Sequence, residues 1–191
     1  MRKPRHYADL KSPMCVITLV AAIVLWMFTA ALANPPRDPG EEPEYYPVVK
    51  IGGDVQQAAN KPSNAIDGNP LTRWSAAWKN DAPSPVLILD LGVGQYVNFV
   101  EITWHDGASR EYYFSIQILG SDHGFTPVGG GSSQYLDVVE YPLVISTHAR
   151  IIRIQGYGSD HPRAKTAEWT SIAEIRVGYD TAYDDQNPFC W

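Results

Sequence analysis

From residue 86 to residue 178 the chain repeatedly alternates apolar and polar residues one by one, and nowhere sustains the spacing of an amphipathic helix. Val100, Ile102 and Trp104 fall on one side and Glu101 and Thr103 on the other. Phe114, Ile116 and Ile118 oppose Ser115 and Gln117; Ile152 and Ile154 oppose Arg153 and Gln155; Ala173, Ile175 and Val177 oppose Glu174 and Arg176. Successive side chains of a strand point to opposite faces, so each run reads as a strand with one buried face. The clearest runs, 86–91, 97–104, 112–119, 134–144, 150–155 and 171–178, are separated by clusters of Gly, Pro, Asn, Asp and Ser, which favour turns. Parallel strands need crossover connections, usually helices, and none is apparent here. The pattern therefore predicts an all-β antiparallel sandwich of the jelly-roll kind.

The full chain has 191 residues, room for one such domain and a leader. Four cations, Arg2, Lys3, Arg5 and Lys11, face the single acid Asp9 in the first 33 residues. An apolar stretch from Val16 follows, and it ends in Ala31-Leu32-Ala33. That order of basic, apolar and small residues predicts a secretory signal in residues 1–33, cleaved after Ala33, with an uncleaved signal anchor as the alternative. Either way the rest is secreted or extracellular, and a membrane is involved only if the anchor is retained. Residues 34–47 hold five prolines and four acids and read as a linker. The domain is expected over 48–180, with a tail over 181–191. Of the net charge of −6, the leader carries +3, which leaves −9 for the remainder. Such an acidic remainder is a poor partner for phosphate backbones, so nucleic acid is not expected. Cleavage would leave Cys190 as the only cysteine. That allows no disulfide within the domain and no cysteine-based zinc site. A monomer is expected.

Several clusters could carry chemistry. Asn64 to Ser75 packs Asp, Asn, Gly and Thr into one tight segment whose oxygens could converge on a calcium ion, which takes 6–8 oxygen ligands. The same residues also suit an ion-free Asx turn. Glu174 could supply a distant carboxylate, or lie on a solvated face. Arg110, at the end of the loop Trp104 to Arg110, could fork onto a carboxylate or paired hydroxyls, or form a surface salt bridge. Trp74 and Trp104 belong to the core by phase, whereas Trp78 sits in loop context and offers a flat face to a sugar ring or a partner protein. Gly156 to His161 forms a second polar loop. His105 with Asp106, or His161 with Asp160, is a conceivable acid–base pair, but neighbours on a loop are expected to point apart. No G-x-S-x-G, H-E-x-x-H or P-loop sequence occurs, so an enzyme is not expected.

The run Asn64-Ala-Ile-Asp-Gly-Asn-Pro-Leu-Thr-Arg-Trp-Ser75, then Leu89-Asp-Leu-Gly92, Val100-Glu-Ile-Thr-Trp104, Phe114-Ser-Ile-Gln-Ile118, Ala149-Arg-Ile-Ile-Arg-Ile154 and Trp169-Thr-Ser-Ile-Ala-Glu-Ile175, resembles the discoidin or coagulation factor 5/8 type C domain in order and spacing. Ser109-Arg110, Gly130-Gly-Ser-Ser133 and Gly156-Tyr-Gly-Ser159 make it most similar to family 32 carbohydrate-binding modules attached to alginate lyases. The segment from Asp160 to Glu168 departs from that pattern in being longer and more charged. The resemblance implies an eight-stranded, galactose-binding-like jelly roll without catalysis, holding a structural calcium ion. It places the side chains of Asp67 and Thr72, carbonyls near Asn64 and Asn69, Glu174 and the carbonyl of Ala173 around that ion. It places Trp78, His105, Arg110 and residues near His161 in sugar-binding loops at one end of the sandwich. The expected ligand is an extracellular or cell-wall polysaccharide, with a uronan such as alginate first. The alternative is an adhesion domain that binds a protein or membrane lipid.

Overall fold

The structure, a computed structural model, describes residues 42–54, 57–78, 83–160 and 168–186. Eight antiparallel strands form the fold: β1 Glu44–Tyr46, β2 Lys50–Gly53, β3 Trp74–Ala77, β4 Val86–Trp104, β5 Tyr112–Leu119, β6 Phe125–Ser132, β7 Val138–Ser159 and β8 Trp169–Tyr179. Two of these, β4 and β7, are far longer than a sandwich layer is wide. Each runs through one leaf, bends, and continues in the other. Residues 86–90 of β4 pair with 151–155 of β7 and with β2, and β5 and β6 extend that leaf. Residues 99–103 of β4 pair with 138–142 of β7 and with β8, which also carries β1 and β3. The expected runs 86–91 and 97–104 are thus one strand, and so are 134–144 and 150–155, except that the second starts at Val138.

The bends are built from two opposed register shifts. Asp90 to Gln95 of β4 stands against only Ile151 to Ala149 of β7. Pro142 to Thr147 of β7 stands against only Phe99 to Val97 of β4. Extra residues on one strand bend it and increase its twist, which lets one chain turn the corner of a sandwich. Gly92, with φ of +80°, sits in the first shift.

The alternating residues bury as their phase requires. Val100, Ile102, Trp104, Ile116, Ile152, Ile154, Ile175 and Val177 all join one apolar cluster between the leaves. Trp74 is fully buried, and its indole N–H donates to the carbonyl of Asp54 at 2.8 Å. The outer face of β4 departs from the simple pattern: Phe99 and Glu101 are buried too. Tyr45 covers them, with its ring edge-on to Phe99 at 5.5 Å and its hydroxyl donating to Glu101 at 3.0 Å. Arg176 binds the same carboxylate and lies 4.0 Å over the Tyr45 ring. A strand of the fold therefore begins inside the stretch that composition assigns to a linker, because its tyrosines cover a buried acid. The 3₁₀ turn Thr181–Gln186 likewise extends past residue 180, with Tyr183 buried and tilted against Phe99 at 5.9 Å.

β8 fixes which end is which. Its first residue, Trp169, pairs with Ala77, just before Trp78; its last, Tyr179, pairs with Glu44, where the described chain enters the domain. At about 3.3 Å per residue those two ends of β8 lie roughly 30 Å apart. The loop after Trp104 belongs to the Trp169 end, since Trp104 pairs with Ile172. Among the described residues no helix is long and apolar enough to cross a membrane.

Beneath that end lies an aromatic cluster. Trp104 stacks on Tyr112 at 4.9 Å and 13°, and Phe114 meets Tyr141 edge-on at 4.6 Å. The indole N–H of Trp104 donates to the buried hydroxyl of Tyr141 at 2.8 Å. Tyr141→Phe removes that acceptor and leaves a buried donor unpaired, which costs about 1–3 kcal/mol. The expected result is a melting temperature lower by several degrees with unchanged far-ultraviolet circular dichroism.

Candidate functional site

Two groups of polar residues lie toward the Trp169 end. The first grows out of the turn after the 3₁₀ segment Pro62–Ile66. Asp67 accepts from the Asn69 amide at 2.9 Å, and the Thr72 hydroxyl donates to its Oδ2 at 2.8 Å. Asn69 accepts from the Leu71 amide through Oδ1 and from the Thr72 amide through its carbonyl. Gly68 has φ of +73°, a conformation that favours glycine and lets the turn close. Across from it stands Glu174 of β8, and the two carboxylates interact directly. Burial, followed by the Asp67 carboxyl, pushes Glu174 above its ordinary value. The Thr72 hydroxyl and then the Asn69 amide hold Asp67 below its own. Glu174 Oε1 is buried and has no hydrogen-bond partner among the described residues.

Two acidic groups turned toward each other, one with an orphaned buried oxygen, form an arrangement that a cation would complete. Among the described residues no three of His, Cys, Asp and Glu converge, so the other oxygens would come from hydroxyl and carbonyl groups. That donor set is all oxygen and fits a hard ion such as calcium. Asp67, Asn69, Thr72 and Glu174 come together in this way, and Ala173 precedes Glu174 in β8. Asn64 also works as a staple. Its side-chain amide donates to the carbonyls of Ala59 and Arg73 at 2.8 and 3.0 Å and ties the turn to the start of β3.

The second group is built on the end of β4. The Tyr112 hydroxyl donates to the His105 carbonyl at 2.7 Å, and the His105 amide donates to the Ser171 carbonyl at 3.2 Å. The loop then turns through Asp106 in the left-handed region, φ 55°. A Cβ on Gly107 would lie 2.4 Å from the Leu136 carbonyl oxygen, so only glycine lets the two loops touch. Asp137 closes the contact by accepting from the Ala108 amide at 2.8 Å.

This tight turn corrects the expectation that His105 and Asp106 point apart. His105 Nε2 lies 3.5 Å from Asp106 Oδ2, and Arg110 reaches the same oxygen at 3.5 Å. Burial, then the nearby Arg73 guanidinium, lowers the His105 pKa, so the imidazole is neutral near pH 7. The charges of Arg73 and Arg110 thus both act on one histidine. The Nε of each guanidinium is buried without a hydrogen-bond partner among the described residues.

Arg73 carries no signal of its own in the sequence, because it sits inside a turn motif, one residue ahead of the core Trp74. Trp78 follows β3 with its side chain 42% exposed and its amide donating to the Glu168 carbonyl at 2.8 Å. His161 lies outside the described residues.

A fold of this topology, with an acidic turn facing β8 and a cationic loop at the same end, defines a class. Residues 52–175 match the F5/8 type C domain model, and the chain belongs to that family. More particularly, it is similar to family 32 carbohydrate-binding modules. It is 32% identical to the family 32 module of AlyQ solved in complex with 4,5-unsaturated mannuronic acid, over 70% of this chain and 97% of that one, with a TM-score of 0.61. Truncated AlyQ, containing the module and alginate lyase domains, matches at 31% identity and a TM-score of 0.62, over 73% of this chain and 34% of that one. The family 32 module of C. perfringens NanJ, solved with galactose, shares the fold at 20% identity and a TM-score of 0.59, over 72% of this chain and 99% of that one. No curated protein matches the chain by sequence.

The carboxylate pair makes stability depend on pH in a definite direction. Glu174, raised in the folded state, stabilises most below the unfolded glutamate value, and that contribution fades as pH rises through its folded value. Asp67, depressed, contributes above the unfolded aspartate value, and its contribution is lost as pH falls. In chelator this pair's contribution to the melting temperature is expected to peak between the unfolded aspartate and glutamate values, at about pH 4, and to decline as pH rises from there. Glu174→Gln should flatten that decline; an unchanged profile in the variant would assign it elsewhere.

Proposed function

We propose that the domain is a secreted, non-catalytic carbohydrate-binding module that holds an acidic polysaccharide, a uronan such as alginate, at its Arg73–His105–Arg110 loop end. The observation that carries the reading is the pair of guanidinium groups with buried, unpartnered Nε atoms near one neutral imidazole. Buried polar groups left unpaired are uncommon, and a ligand carboxylate is the acceptor that suits a guanidinium fork. Exposed Trp78 offers the apolar face on which the C–H side of a pyranose could stack. The 32% identical AlyQ module, whose complex contains an unsaturated mannuronic acid, supports the same ligand class. That module is covered over nearly its whole length, against a third of the truncated AlyQ that includes lyase domains, which supports a binding role without chemistry.

The overall acidity of the chain does not oppose this strongly. Screening over about 8–10 Å at physiological salt separates the distant acids from the loop end, and the short-range donors decide. Arg110→Ala is expected to weaken uronan binding about 10–100-fold, the loss of one charged hydrogen-bonding group. Arg110→Lys should restore little, because an ammonium lacks the paired donors of the fork. Titration of the full chain with uronate oligosaccharides and with neutral glycans reads both effects. Full recovery by lysine would reduce the site to simple charge attraction, and neutral glycans bound equally well would remove the uronan.

We also propose calcium between Asp67 and Glu174, with Asn69, Thr72 and the Ala173 carbonyl as further oxygens. When bound, the ion supplies positive charge to two facing acids and closes the turn on β8. The chain's own residues do the rest: Asp67 gathers Asn69 and Thr72 around itself, and β8 brings Glu174. Calcium should raise the melting temperature by several degrees at neutral pH, and Asp67→Asn should abolish the rise. A rise that survives in the variant would move the ion elsewhere.

A further inference from the structure

Beside His105 lies a groove of about 380 Å³ that neither arginine lines. Pro70 and Leu71 line it from the acidic turn, His105, Asp106 and Asp137 line it from two other loops, and the buried Trp104 and Ala173 also line it. Leu71 is 88% exposed, an aliphatic side chain standing in water at the tip of a turn. Its place is fixed from below, since its own amide donates to Asn69 Oδ1 at 3.1 Å and the next residue, Thr72, is tied to Asp67. The lining from the other loops is equally fixed, by the Asp137 carboxylate on the Ala108 amide and the Asp137 carbonyl on the Trp104 amide at 2.6 Å. Two rigid linings, one apolar and one rich in acceptors, make a slot suited to a ring with an apolar face and hydroxyl edges.

We infer that this groove is a second sugar subsite, holding the ring next to the one gripped by Arg73 and Arg110. The inference rests on the proposed uronan site and adds to it. The two subsites share His105, so a chain seated on the arginines passes directly into the groove. Their chemistry differs. The arginine side offers donors to a carboxylate. The groove offers the carboxylates of Asp106 and Asp137, which accept from hydroxyls and repel a second carboxylate. The neighbouring ring therefore turns a hydroxyl edge inward and its own carboxylate, if it has one, toward solvent, with Leu71 against its C–H face. The domain thus reads at least two consecutive residues of the polysaccharide, each by a different edge.

Titration calorimetry of the full chain with mannuronate and with its 1,4-linked disaccharide tests this. The disaccharide is expected to bind about tenfold more tightly than the monosaccharide. Leu71→Ala should reduce that gain to about twofold while leaving monosaccharide affinity and melting temperature unchanged, since the side chain lies in solvent. Asp137→Asn, which keeps an oxygen for the Ala108 amide, should reduce the gain less and improve tolerance of carboxylates in the groove. Monosaccharide binding with no disaccharide gain, or a gain that Leu71→Ala leaves intact, would overturn the groove and spare the arginine site. Failure of folded wild-type protein to bind either sugar would overturn the uronan site and the groove with it.

Discussion

The stack of Trp104 on Tyr112 holds the rest of the loop end in place. Trp104 ends β4 and Tyr112 begins β5, so the two rings clamp the exit and re-entry of a single loop. Each also has a polar tether: the indole N–H to Tyr141 and the phenol to the His105 carbonyl. Aromatic pairs of this kind add about 0.5–1.5 kcal/mol beyond the area they bury. Their larger effect here is geometric. The loop from Trp104 to Arg110 is held at both ends by buried rings, and so His105, Asp106 and Arg110 meet within ion-pair range around the short 3₁₀ turn Gly107–Ser109.

Much of the architecture is written in period-two alternation. The runs at 112–119 and 171–178 fall on β5 and β8 almost residue for residue, because Ser115 and Gln117 in β5 and Glu174 and Arg176 in β8 interrupt their apolar residues at every second position. β1, β2, β3 and β6 carry no such signal. β1 and β2 are three and four residues long, too short for alternation to register, while β3 is buried along its whole length. β6 contains Pro127 and three consecutive glycines, Gly129 to Gly131, a composition that reads as turn. It nonetheless pairs with β5, as an edge strand that tolerates a missing amide. The covering of Glu101 by Tyr45 could not be read at all, since it joins residues 56 apart across two strands.

The site was legible in uneven parts. Asp67, Asn69 and Thr72 are local, and their types alone suggest a turn of converging oxygens. Glu174 joins them only through the fold, by way of the resemblance. His105 and Arg110 were visible as loop residues, but their meeting at Asp106 depends on a left-handed backbone at a non-glycine position, which sequence does not advertise. Arg73 was hidden for a different reason. A residue between an oxygen-rich turn and a core tryptophan invites a structural reading, and only its proximity to His105 reveals a second cation at the same loop end.

The pairing of Glu44 with Tyr179 puts the described chain's entry at the end of β8 far from the loops, and the turn Thr181–Gln186 leaves from the same region. A domain held by that end, on a bead, a scaffold or a neighbouring module, keeps its loops facing outward. Copies spaced along a surface would then meet one long polymer side by side, and each further engagement becomes an intramolecular event. Modest grip at a single head could in this way add up to durable retention, with spacing rather than contact chemistry setting the gain.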